Sequence, residues 1–148
     1  MNRTPDMARA LGLEPHPEGG WYRRSYTSPV SVPHPVSGGP RPTATLIYYL
    51  LCPGEESRWH RVASDEVWLW RHGGPLTVTT TPPGRRPGVE QTVVLGADTG
   101  SGQQLQALVP AGHWQRAEAG DAETLVTCMV TPGFDFADFH LLPEAETP

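Results

Sequence analysis

Short runs rich in aromatic and β-branched residues recur along the chain, each cut off by proline or glycine. Side chains along a strand point alternately to its two faces, so runs of this length and spacing predict strands rather than helices. They fall at Trp21–Thr27, Thr43–Cys52, Arg58–Val62, Glu66–Arg71, Pro75–Thr81, Val89–Leu95, Gln104–Val109, Trp114–Ala119 and Glu123–Thr131, with Phe136–Leu142 as a final one. Pro53-Gly54, Gly73-Gly74, Pro82-Pro83-Gly84, Gly100 to Gly102 and Ala111-Gly112 supply the breaks. Five prolines between Ser28 and Pro42 predict a loop there. Residues 1–20 read as a helix and a turn. Thr4 offers a capping hydroxyl, Pro5 the first-turn proline, Asp6 an acid at the positive end, and Gly12 a stop. His16-Pro17-Glu18-Gly19-Gly20 is the turn. The pattern predicts an all-β sandwich or barrel with a short N-terminal helix.

Composition narrows the function. At 148 residues with 17 prolines and 16 glycines, the chain reads as one domain spanning 1–148. The net charge of -5 and the lack of a basic stripe argue against nucleic acid. Every basic residue is arginine, which excludes lysine Schiff-base chemistry and the lysine of a phosphate-binding P-loop. The longest apolar stretch, Ala44 to Cys52, is too short to cross a bilayer, and the N-terminus lacks the apolar core of a secretory signal. The expectation is a soluble cytoplasmic protein that binds no membrane, with Cys52 and Cys128 as free buried thiols.

Strand alternation also groups the candidate chemistry. Arg58, His60 and Val62 share one face of their run, and Glu66, Trp68, Trp70 and His72 share one face of the next. A hairpin through Ala63-Ser64-Asp65 would turn His60 and Glu66 to a common inward face. A buried Glu66 then needs a metal, a cation or a proton. Tyr22, Arg24 and Tyr26 share a face of the first strand, where arginine could hold a carboxylate and tyrosine supply a hydroxyl. His140 lies on a strand face with Asp138 and reads as a surface pair; His72 and His113 read as exposed beside turn glycines. His16 and His34, in proline-rich turns, carry no assigned chemistry.

The spacing Gly54, five residues, His60, one residue, Val62, three residues, Glu66, six residues, Gly73, followed by Pro110-Ala111-Gly112 and Gln115, resembles the two motifs of the cupin superfamily. The blocks LGLEPHPEGGWYRRSY, SRWHRVASDEVWLWRHGG, VPAGHWQRAE and MVTPGFDFADFHLL are similar to the cupin-5 branch. The resemblance implies a double-stranded β-helix, or jelly roll, commonly paired as a homodimer. It also implies that a metal cupin would carry histidines where this chain has Val62 and Gln115.

That loss favours an enzyme that works without a metal on a small sugar-like or carbonyl substrate, by epimerisation, isomerisation or elimination. His60 and Glu66 would be catalytic, and Arg24, Tyr22, Trp68 and Gln115 would bind substrate. No cofactor is favoured. One alternative is a divalent ion on His60, Glu66 and Gln115, helped by His113, with lyase or oxygenase chemistry. The other is a non-catalytic small-molecule binding protein.

Overall fold

The computed structural model describes residues 3–148, so Met1 and Asn2 of the expected N-terminal helix and turn lie outside the described residues. Helix α1 spans Asp6–Leu11. Thirteen strands follow among the described residues: β1 Glu14–Pro15, β2 Trp21–Thr27, β3 Ser31–Pro33, β4 Pro40–Pro42, β5 Thr45–Leu51, β6 Glu56–Val62 and β7 Asp65–Gly73, then β8 Leu76–Thr81, β9 Gln91–Leu95, β10 Gln106–Val109, β11 Trp114–Ala119, β12 Thr124–Thr131 and β13 Phe139–Leu141. Two antiparallel sheets, in the orders β1-β2-β5-β12-β7-β10 and β13-β6-β11-β8-β9, form the jelly roll. Their inner faces meet on Tyr49, Leu51, Trp68, Leu76, Val78, Leu95, Val109, Val126 and Cys128. Helix α1 covers the outer face of the first sheet at one end, where Ala8 and Leu13 meet Leu50 and Leu125.

The hairpin expected through Ala63-Ser64-Asp65 does not form. Strand β6 pairs with β11 and β13, while β7 pairs with β10 and β12 in the opposite sheet. A two-residue hairpin turn needs positive φ at one or both central residues, and Ala63 and Ser64 are not glycine, with no non-glycine residue at positive φ among those described. The chain instead crosses between sheets, and buried Ser64 is held at the crossing by His34, Nε2 to Oγ 2.9 Å. His60 and Glu66 therefore face each other from opposite walls.

The Ser28–Pro42 stretch is not a plain loop, because β3 and β4 pair within it through Val32 and Arg41. Its prolines at 33, 40 and 42 lie in a short two-stranded ribbon at the edge of the fold, where missing N–H groups cost little. This arm is anchored by buried Arg41, whose Nε and Nη2 donate to Asp138 at 2.9 and 3.0 Å. Asp138 is thus not the partner of His140, which is exposed on β13. Phe136–Asp138 forms a 3-10 turn before β13 begins, because the Asp135 carboxylate accepts from the Ala137 N–H and tightens the chain. The strands expected from Val89 and Gln104 begin at Gln91 and Gln106. Thr4 does not cap α1, which starts after Pro5 without a side-chain cap, while Gly12 at φ 69° ends it as expected.

Candidate active site

The site is built around the turn His16–Gly20. Gly19 and Gly20 have φ of 111° and 77°, and a Cβ on Gly19 would fall 2.0 Å from the Glu56 carbonyl oxygen. Only glycine allows the turn to lie this close against β6. The approach drives Glu18 into the barrel, where it is 5% exposed. Two bonds fix it further: the Arg58 N–H donates to the Glu18 carbonyl at 2.7 Å, and the Glu18 N–H donates to His16 Nδ1 at 3.0 Å.

Strand β6 carries a bulge at Arg58 and Trp59, where two residues stand opposite Arg116 alone. Bulges re-aim side chains, and past this one His60 points inward opposite Gln115. His60 Nδ1 donates to the Arg58 carbonyl at 2.7 Å, since a carbonyl can only accept. Its Nε2 lies 2.8 Å from Glu18 Oε2. A neutral ring would turn a lone pair onto that carboxylate, so the arrangement favours imidazolium facing carboxylate. Burial alone would lower the His60 pKa, but the Glu18 charge turns the net shift upward. For Glu18, burial pushes up and the His60 charge turns the net shift downward. The N–H is not aligned on Oε2, which has no hydrogen-bond partner among the described residues.

Glu66 faces this pair from β7. Trp68 Nε1–H donates to Gln115 Oε1 at 2.8 Å, and Gln115 Nε2 donates to Glu66 Oε1 at 2.9 Å. The indole can only donate, so it fixes which way the Gln115 amide points. Burial pushes the Glu66 carboxyl up to about 7, against the pull of His60 and with the added push of Glu18. His60 and Glu66 are 2% and 7% exposed. Both open onto one small cavity, with His16, Glu18, Val62, Phe134 and Phe139 also in its wall.

A family model described as Cupin superfamily (DUF985) matches residues 5–142. The chain belongs to this family. Among solved structures, the cupin is similar to a hypothetical protein from Leishmania major at 34% identity and TM-score 0.85, over 94% of this chain and 86% of that one. A protein from Shewanella oneidensis matches at 38% identity and TM-score 0.83, over 98% and 87%. A dTDP sugar isomerase from Desulfovibrio desulfuricans G20 matches at 16% identity and TM-score 0.59, over 83% and 84%, a likeness of fold alone. No curated protein matches the chain.

The residues expected to form the site in this cupin separate into three groups. His60 and Glu66 line the cavity, and Gln115 stands behind Glu66 with both ends of its amide occupied. Trp68 is fully buried in the core and reaches the cavity only through Gln115. Tyr22 and Arg24 lie outside the lining: Tyr22 stacks edge-on against His16 at 4.4 Å, and Arg24 donates to the Phe134 carbonyl at 3.0 Å. Tyr26 leaves their face altogether, because a bulge between Arg24 and Tyr26 turns it outward opposite Leu46. Trp70 is half-buried and donates to the Gly74 carbonyl. His72 is exposed, and His113 is half-buried rather than exposed, its Nδ1 enclosed without a partner.

Glu18 and His16 are the members that sequence reasoning missed. Their signal was the Gly19-Gly20 pair, which marks a close backbone approach as well as a turn. The donor set fits a metal poorly. Val62 supplies no ligand, and the one ligating atom of Gln115 is taken by Trp68. No three His, Cys, Asp or Glu side chains converge as metal ligands among the described residues. No described helix is long and apolar enough to cross a membrane.

Proposed function

We propose that this cupin is a metal-independent acid–base enzyme that moves a proton on a small carbonyl or sugar-like molecule, as an isomerase, epimerase or lyase does. The observation that carries the reading is the pairing of two proton-handling groups across one cavity. His60 is held protonated by Glu18, and Glu66 titrates near neutrality at about 7. Groups whose environments set them to different protonation states divide into acid and base. His60 is the general acid, donating from Nε2, and Glu66 is the general base in its carboxylate form. Gln115 and Trp68 hold Glu66, and the Arg58 carbonyl holds His60. Tyr22 and Arg24 support the mouth from behind, through His16 and Phe134.

The test is hydrogen exchange at carbons next to the carbonyl, followed by NMR in D2O across a panel of small ketones and keto-sugars. Wild type should wash deuterium into at least one member, and His60→Asn and Glu66→Gln should each slow this by roughly 10²-fold or more. Chelation should leave the rate unchanged. A rate abolished by chelation and restored by a divalent ion would replace this reading with metal chemistry. Saturable binding without exchange would make the protein a binding module.

The reading includes a homodimer. On the outer face of the first sheet, Leu108, Val67, Met129, Leu46 and Tyr26 are neighbours in successive strand pairings and make one apolar row. Leu108 and Tyr26 are 59% and 49% exposed. Burying such a row against a second copy removes it from water.

A further inference from the structure

We infer that His16 is a ligand-binding residue: its neutral imidazole donates a hydrogen bond from Nε2 to the oxygen of an uncharged, ring-bearing carbonyl compound. The inference rests on the acid–base reading of the cavity and names the chemistry of what enters it. The tautomer of His16 follows from the turn. Its Nδ1 accepts from the Glu18 N–H, which leaves the ring proton on Nε2, the nitrogen that the turn does not use. Burial lowers the pKa of His16, so the ring stays neutral at neutral pH. The groups around it are Glu18, with Oε1 at 3.8 Å from Nδ1, then Tyr22 and His60. His16 therefore stands in the cavity wall as an uncharged donor beside the charged His60–Glu18 pair.

The remaining wall sets the charge and shape of the ligand. Ile47, Val62, Val130, Phe134 and Phe139 give the cavity an apolar side, and the Phe139 ring lies 5.6 Å from that of His60. No arginine is in the lining, and Arg24, which lies outside it, donates to the Phe134 carbonyl. With the His60 charge balanced by Glu18, a carboxylate or phosphate would lose its hydration and meet Glu18 and Glu66 with no unpaired cation in the lining. A neutral molecule loses little. Its apolar ring is accepted by the phenylalanines, and its oxygen by His16.

Two ring-matched probes test this: cyclohexanone and cyclohexanecarboxylate, titrated into the protein and followed by NMR. Cyclohexanone should bind at least about tenfold more tightly than the carboxylate, because the anion enters without a counter-charge. The ¹³C resonance of its bound carbonyl should move downfield. His16→Asn keeps an acceptor for the Glu18 N–H but has no donor at the Nε2 position. It should weaken ketone binding about three- to tenfold, the worth of one neutral hydrogen bond, and abolish the carbonyl shift. His16→Gln, which restores a donor near that position, should recover the shift; near-UV circular dichroism confirms that both variants are folded. Tighter binding of the carboxylate, no saturable ketone binding, or an unchanged carbonyl shift in folded His16→Asn would each overturn the inference. Ketone binding with the His16 signature but without His60-dependent exchange would leave it standing and refute the acid–base reading alone.

Discussion

Replacing Glu66 by glutamine should make this protein more stable in alkali while destroying its proposed activity. Glu66 is 7% exposed, and its carboxyl titrates at about 7 in the fold against an ordinary 4.5. Between those values the folded chain binds a proton that the unfolded chain has released, so wild-type stability falls as pH rises. The loss is about 1.4 kcal/mol per pH unit, or roughly 3 kcal/mol once pH exceeds 7. Glutamine has no such titration, and its carbonyl still accepts the hydrogen bond that Gln115 donates. Any packing penalty of the substitution is the same at every pH. Urea unfolding at about pH 5 and about pH 8.5 therefore isolates the charge effect. The variant should gain on wild type by about 2–3 kcal/mol between the two conditions, a relative midpoint shift of roughly 1–2 M urea. Parallel pH profiles for the two proteins would mean that the Glu66 carboxyl is not perturbed by burial, and the general-base assignment would lose its physical basis. A gain in stability accompanied by loss of turnover is what a strained functional group predicts.

Glu18→Gln should lower the His60 pKa, read from imidazole ¹⁵N shifts, because the Glu18 charge is what raises it against burial. The stability that the pair contributes in wild type is lost as pH climbs through the raised His60 value or falls through the lowered Glu18 value, and the variant should lack both flanks. Gln115→Leu strands the Trp68 N–H and the Glu66 carboxylate together, so denaturant unfolding should show a loss of about 2–4 kcal/mol. A Glu66 pKa driven higher still should accompany it, since the lost amide donor favours the ionised form. Leu108→Glu or Met129→Glu should convert the proposed dimer to a folded monomer by sedimentation velocity; an unchanged sedimentation coefficient would move the dimer face elsewhere.

The all-β class and the inward direction of His60 and Glu66 were legible in the chain because both depend on local rules, while the jelly roll itself was implied by the cupin resemblance. Strand runs, proline and glycine breaks, and two-residue alternation act over a few neighbours, and they identified most strands and the His60 and Glu66 faces correctly. Bulges defeat that rule. One in β2 turned Tyr26 away from Arg24, while one in β6 lies just before His60 and leaves its inward face intact. Pairing partners were a different matter: β6 and β7 are adjacent in sequence yet lie in opposite sheets, a choice made by the crossing at Ala63 and Ser64 and by His34, thirty residues earlier. The state of His60 was equally out of reach. Its partner Glu18 is forty-two positions away and enters the barrel because Gly19 lets a turn lie against β6. Sequence spacing could mark the carboxylate on β7, but only the closed barrel brings a second carboxylate to the other side of the imidazole and decides which group holds the proton.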